Sequence, residues 1–220
     1  MPKTPIDTQA RSGDAPGFSF AREHKDGRLW LRALHRPDFN PICADWLNME
    51  MKSRIQAGKQ QLLARACGLP KATEPLRILD GTGGLGRDAY TLAALGAMVT
   101  LAERNPDIAA LLHDGRRRAL EAGAQAAGTM ELLNTNTLQL LASGRSWDVV
   151  YLDPMYPDEN RTALPQKEMQ IFRDLTGGDA DADVLLEPAM AAALKRVVVK
   201  RPLKAPPLAG AFGLAALALM

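Results

Sequence analysis

The chain has 220 residues, of which 46% are hydrophobic and 24% charged, with a formal net charge of +2. That length holds one domain with at most a small appendage, and the composition excludes a chain too polar to bury a core. Cys43 and Cys67 belong to no CxxC pair, which excludes a disulfide scaffold. With no signal peptide in the polar stretch 1–17, the two thiols predict a reducing, cytoplasmic setting. His24, His35 and His113 are scattered, and neither zinc spacing nor a G-x-S-x-G elbow occurs, so no metal is expected.

Residues 1–17 read as disordered from their polar, Pro- and Gly-rich composition. Residues 18–75 read as an N-terminal extension. Within it Arg28 to Ala33 alternates like a strand, and Asn40 to Trp46 reads as its hairpin partner across a turn at Pro37 and Asp38. Gln60 to Cys67 reads as a helix stopped by Gly68 and Pro70. Lys52, Arg54 and Lys59 fit an anion- or RNA-binding loop and a solvated helix face equally.

Strands and helices alternate from Leu76 onward. Leu76 to Leu79 is a buried-strand pattern, and it enters a glycine turn at once. Gly81, Gly83 and Gly86 have G-x-G-x-x-G spacing, and Asp88 to Leu95 reads as the helix that follows. Met98 to Ala102 is the second strand, and Pro106 opens the next helix. Arg116, Arg117 and Arg118 read as its solvated end. Met130 to Leu133 is the third strand and Trp147 to Leu152 the fourth. Glu168 to Leu175 and Asp183 to Leu194 are helical, the second interrupted by Pro188. Arg196 to Lys200 is the fifth strand. Near-continuous apolar strands with helical crossovers predict an α/β fold, a mostly parallel sheet with helices on both faces. Ligands of such sheets bind beyond the strands' carboxyl ends. Asp80, Glu103, Asn136, Asp153 and Lys200 stand at those ends and should converge on one crevice.

The glycine turn reads as a nucleoside site. Glu103, about 20 residues past the glycines, can bind both hydroxyls of a ribose. Asp80, directly before Gly81, would repel a pyrophosphate and suits a cationic ligand. S-adenosylmethionine has a ribose, an adenine, a sulfonium and an amino group but no phosphate, so it fits this pair better than NAD does. After the fourth strand comes Asp153-Pro154-Met155-Tyr156-Pro157. Asp153 and the Pro154 carbonyl can each accept one N–H of an exocyclic base amine and so aim its lone pair, while Tyr156 stacks on the base.

DGTGGLGRDAY resembles the first motif of class I S-adenosylmethionine-dependent methyltransferases. DPMYP resembles their amine-methylating [DN]-P-P-[YF] motif, with Met155 in place of the second proline. Together with AERNP, VVYLDPMYP, KEM and RVVVKRP, the stretch from Asp80 to Pro202 is similar to the ribosomal small-subunit RNA methyltransferase J family. That resemblance implies a Rossmann-like fold over 76–204 and methyl transfer to a guanosine N2 amine in 16S rRNA. The partner it implies is that RNA or the small ribosomal subunit. It also implies cofactor contacts at Arg87, Asp88, Glu103, Arg104, Asn136, Thr137 and Asp153. In that frame Asp88 holds the methionine ammonium, Arg87 reaches its carboxylate, Arg104 lies over the adenine and Asn136 reads the adenine edge.

The tail, 205–220, is uncharged and shows no pattern for the closing hairpin usual in that superfamily. It reads as a truncated or frame-shifted end and predicts an exposed edge at the fifth strand. Two rival functions stand beside the main reading: an NAD-dependent oxidoreductase using the same turn, and a non-catalytic RNA-binding module of the same fold.

Overall fold

The structure, a computed structural model, describes residues 11–12, 17–154, 167–177, 182–201 and 216–218. A small antiparallel sheet comes first, from β1 (Arg11–Ser12), β2 (Ser19–Lys25) and β3 (Arg28–Ala33). Helices α1 (Met49–Gln56) and α2 (Leu62–Ala66) follow. The main sheet contains β4 (Arg77–Asp80), β5 (Met98–Ala102), β6 (Met130–Leu133), β7 (Trp147–Leu152), β8 (Ala193–Arg201) and β9 (Ala216–Ala218). Its strands are crossed by α3 (Arg87–Ala94), α4 (Pro106–Glu121), α5 (Thr137–Leu141), α6 (Lys167–Thr176) and α7 (Ala182–Ala192). Their order is β6-β5-β4-β7-β8-β9, and every described pairing is parallel. The order reverses between β4 and β7, so the ligand crevice of such a sheet opens there.

Each central strand is buried on both faces, and alternate residues feed two separate cores. Ile78, Val99, Leu101, Val149, Tyr151 and Val198 pack with α3, α4 and the N-terminal segment. Leu79, Ala102, Val150, Leu152, Val197 and Val199 pack with α5 and α7 on the other side. This two-faced burial is why the strands read as continuous apolar runs.

The N-terminal hairpin differs from the expected one. Arg28–Ala33 pairs with Ser19–Lys25, in register from Phe20↔Ala33 to Lys25↔Arg28. The two-residue turn is Asp26-Gly27, with φ of 52° and 73°, as a type I′ hairpin requires. Asn40 to Trp46 contributes only one bridge, Leu31↔Ile42. Pro41 has no N–H to extend that ladder. Of residues 1–17, Arg11–Ser12 forms β1, Gly17 is a turn residue, and the rest lie outside the described residues. Helix α1 is an addition to the expected elements; Asn48 caps it by accepting the Met51 N–H at 2.8 Å. Pro188 lies inside α7 and does not end it. Strand β9 pairs with Val199–Arg201, so the edge of β8 expected to stand open is covered over those three residues.

Arg116 and Arg118 are not a solvated helix end, while Arg117 is exposed as expected. Arg116 donates to the Ala127 carbonyl, and Arg117 and Arg118 both hold Asp114. Asp114 also accepts the Leu29 N–H at 3.0 Å, which ties β3 to α4. Burial alone would raise its pKa; the Leu29 N–H and the two arginines outweigh burial and hold it below the ordinary carboxylate range. Beside it Gly115 meets Ala44 so closely that a Cβ there would lie 2.9 Å from the Ala44 carbonyl oxygen. Removing the carboxylate strands the buried Leu29 N–H and takes the main partner from the half-buried Arg118. Asp114→Ala should therefore cost about 3 kcal/mol in urea unfolding. A change below about 0.5 kcal/mol, the range of ordinary surface substitutions, would remove this tie from the fold's supports.

Candidate active site

The glycine turn joins β4 to α3 and is packed by protein on nearly every side. A Cβ at Gly81 would stand 2.8 Å from Leu152 and Thr137 atoms, and one at Gly83 would stand 2.6 Å from Leu101. Both positions are therefore glycine because strands β5 and β7 and helix α5 leave no room, before any ligand is considered. Gly86, with φ of 72°, lies against Trp46 and Leu112. Trp46 stacks on Tyr90 and donates its indole N–H to the Leu85 carbonyl at 2.8 Å. Thr137 donates to the Gly81 carbonyl at 2.6 Å, so its hydroxyl fastens the turn.

Beyond the turn lies a cavity of about 300 Å³ at the reversal of strand order. Among the residues expected at the site, Asp80, Gly81, Gly83, Arg87, Asp88, Glu103, Arg104, Asn136, Thr137, Asp153 and Pro154 all line it. Tyr156 lies outside the described residues. Glu103 is buried at the end of β5, where its carboxylate accepts N–H groups from Asn105 at 2.7 Å and Gly84 at 3.1 Å. These two donors fix its orientation toward the cavity that it lines. Asn136 caps α5 through its amide oxygen, which accepts the Leu138 N–H at 2.8 Å. Arg104 is exposed at the rim. Arg87 makes a two-pronged ion pair with Glu168 on α6, at 2.8 and 2.9 Å.

The opposite end of the cavity is a charge cluster. Asp80 is 2% exposed and accepts the Thr82 N–H at 3.1 Å. The Thr82 hydroxyl oxygen accepts the Asp153 N–H at 2.6 Å, linking the ends of β4 and β7. Asp88, in the first turn of α3, receives hydrogen bonds from Arg54, the Tyr151 hydroxyl at 2.6 Å and Lys200 at 3.2 Å. Lys200 also donates to Asp153 at 2.7 Å. For Asp88, burial alone would raise the pKa; Lys200, Tyr151 and Arg54 outweigh it and lower it. Arg54 is legible in the sequence only as part of a basic loop, and the fold turns it onto Asp88. Tyr151 reads as an apolar strand residue; a tyrosine hydroxyl buried in a strand needs a partner, and that is the available signal.

Among the described residues no group is placed to hold a metal ion, and no helix is long and apolar enough to cross a membrane. Residues 12–216 match the family model described as "Putative SAM-dependent methyltransferase". The Ribosomal RNA small subunit methyltransferase J of Shewanella loihica is 47% identical over 184 residues, covering 81% of this chain and 71% of that one. Its counterpart from Vibrio vulnificus is 48% identical over 189 residues, covering 80% and 73%. The crystal structure of a SAM-dependent methyltransferase from Neisseria gonorrhoeae superposes with a TM-score of 0.65 at 31% identity, covering 90% of this chain and 77% of that one. The oxidoreductase alternative has no support among these relatives.

The donor set fits S-adenosylmethionine. Carboxylates crowd the end where its positive charges would lie, and a fixed carboxylate stands on β5 for a diol. The fit leaves a cost in the ligand-free chain. Burial pushes Asp80 up to about 7; the Thr82 N–H opposes this, Asp88 and Asp153 add to it, and Lys200 opposes it. Unfolding returns Asp80 to about 3.9. Below that pH both states hold the proton, and nothing is lost. As pH rises from there toward the folded value, the unfolded carboxyl ionises while the buried one keeps its proton. Stability then falls by about 1.4 kcal/mol for each pH unit that separates the folded and unfolded values. Asp80→Asn should therefore raise urea stability by roughly 1–3 kcal/mol near pH 8 and change it little near pH 4. An equal gain at both pH values would show that the charge of Asp80 is not the cause.

Proposed function

This chain belongs to the ribosomal RNA small subunit methyltransferase J family of SAM-dependent methyltransferases, and from that premise we propose that it methylates the exocyclic N2 amine of a guanosine in 16S rRNA. The observation that carries the reading is that Asp153 and Pro154 line the same cavity as Asp80, Asp88 and Glu103. An amine acceptor and a methyl-donor site thus share one wall, across the reversal between β4 and β7. The N2 position and the 16S partner follow from the family. The substrate is the RNA itself or the small subunit that contains it.

Bound S-adenosylmethionine supplies an electrophilic methyl group on a sulfonium. Glu103, already oriented by two backbone N–H groups, would accept both ribose hydroxyls. Asn136 would offer its amide NH₂ to the adenine edge, and Arg104 would lie over the ring. Gly81 and Gly83 would pass backbone under the ligand, and Thr137 would hold that backbone through Gly81. Asp88 would take the ammonium and Arg87 the carboxylate. Both would exchange partners they hold in the free chain, Asp88 from Lys200 and Arg54, and Arg87 from Glu168. Asp80 would supply negative charge behind the cationic end.

A guanine N2 amine is a weak nucleophile because its lone pair is delocalised into the ring. Asp153 would accept one of its N–H groups and the Pro154 carbonyl the other, which rotates the lone pair toward the cavity. The charge on Asp153 also stabilises the positive charge that builds on the nitrogen, and its carboxylate stands where that nitrogen sheds a proton. Tyr156 would stack on the extruded base.

Transfer of labelled methyl to unmodified small-subunit RNA and particles, followed by nucleoside analysis, tests the reading; N2-methylguanosine is the expected product. Asp153→Ala should slow single-turnover transfer at saturating cofactor by about 10²–10³. A near-parental rate would end the role of Asp153 in orienting the amine. Glu103→Ala should weaken cofactor binding roughly tenfold or more, since bonds to a charged acceptor contribute about 1.5–3 kcal/mol each. Unchanged affinity in calorimetry would take Glu103 out of the cofactor site.

A further inference from the structure

Lys200 lies at the middle of the charge cluster. It comes from β8, next to β7 in the sheet, and its side chain is one-third exposed. Its ammonium stands 2.7 Å from an Asp153 oxygen and 3.2 Å from an Asp88 oxygen. Asp88 belongs to the cofactor end of the cavity and Asp153 to the amine end, so one cation bridges the two. Burial disfavours that charge, but Asp88 and Asp153 raise the pKa above the ordinary lysine value, so Lys200 remains an ammonium at neutral pH. An ammonium has three donors and no acceptor, so it can hold a carboxylate but cannot take a proton.

We propose that Lys200 is a positioning residue for methyl transfer: it fixes the Asp153 carboxylate toward the incoming amine and serves as the resident countercharge at Asp88 that the cofactor's ammonium replaces. The proposal rests on the reading of Asp153 as the amine acceptor. Three facts support it. First, Asp153 stands at the start of a loop, just past the last residue of β7, and is 35% exposed, so its rotamer needs a partner. Lys200 supplies one from a neighbouring strand, and strands are the rigid part of this fold. Second, Asp80, Asp88 and Asp153 place three acids around Lys200, and Arg54 also pairs with Asp88. A cation that arrives at Asp88 therefore competes with cations of the protein itself. Third, both bonds originate from one nitrogen. When the cofactor takes over Asp88, the Lys200 ammonium is left to Asp153 and strengthens its hold there. Cofactor binding thus sharpens the amine end without any movement of the backbone.

The two roles predict opposite effects on two measurements, which loss of structure cannot imitate. Removing the ammonium frees Asp88 for the cofactor and loosens Asp153. Lys200→Met should leave cofactor affinity unchanged or tighter in calorimetry. At saturating cofactor it should slow single-turnover transfer to small-subunit RNA by about 10- to 100-fold, the usual cost of a misplaced reacting group. Lys200→Arg, which keeps the charge, should recover most of the rate. Lys200→Gln, polar and of similar length, should behave like Lys200→Met and serves where the apolar variant folds poorly. In an Asp153→Ala background, already slow, Lys200→Met should change the rate by less than about twofold, because additivity fails when one residue acts through another.

A near-parental rate for both Lys200→Met and Lys200→Gln, with Asp153→Ala slow, overturns the proposal and leaves the reading of Asp153 intact. A parental rate for Asp153→Ala removes that reading, and the proposal falls with it. A full additional loss from Lys200→Met in the Asp153→Ala background, or cofactor affinity that falls in step with the rate, overturns the positioning role.

Discussion

The structure depends on a lack of room at the turn after β4. Leu152 from β7, Thr137 from α5 and Leu101 from β5 close on Gly81 and Gly83 to distances that no side chain tolerates. On the far side Trp46 and Leu112 close on Gly86. The turn is therefore the point where both cores and the N-terminal segment meet. Because it is wedged on these sides, Asp80, Glu103 and Asp153 have fixed places. A loose loop could present the same residues but could not hold three carboxylates close enough to work on one ligand.

Those carboxylates set the second constraint. Burying acids together is costly unless cations are buried with them. The chain brings its cations from distant parts of the sequence, Arg54 from α1 and Lys200 from β8. Even so, Asp80 is left with a pKa near neutrality. Local stability is given up at this point. The same cluster explains why a dinucleotide is a poor fit. A pyrophosphate on this turn would face Asp80 instead of the bare N–H groups that usually receive phosphates.

What can be read from the sequence follows the range of the interaction. Strands β4, β5 and β7 are legible because burial on both faces leaves continuous apolar runs, and the residues at their ends can be named from those runs. The core of β8 is legible too, but the strand begins three residues before the expected start at Arg196. The partner of β3 escapes a sequence reading because β2, SFAREHK, carries Arg22, Glu23 and His24 on an exposed small sheet, and the Asp26-Gly27 turn signal competes with Pro37-Asp38. Arg118 looks solvated because its partners, Asp45, Asp114 and the Ala44 carbonyl, lie partly in a distant segment. Lys200 could be placed at the crevice from its position at a strand's carboxyl end, but that it, Arg54 and Tyr151 all meet on Asp88 depends on contacts made only once the sheet has formed. Thr137 stands at the cavity as expected, and its hydroxyl also holds the turn, a contact that spacing does not reveal.

The N-terminal segment belongs to the crevice as much as the sheet does. Leu29 and the Ala44 carbonyl attach it to α4 through Asp114 and Arg118. Trp46 supports the glycine turn, and Arg54 reaches Asp88. On another flank His35 and Arg36 bind Asp174 on α6, while Lys167 of that helix donates to the Asp38 carbonyl. Helix α6 in turn supplies Glu168 to Arg87 at the mouth of the cavity. The segment therefore grips α3, α4 and α6, which flank Asp88 and Arg87, and leaves Asp153 to β7 and β8. The Asp88 side of the crevice and its Asp153 side thus draw on different regions of the chain, and Lys200 touches both.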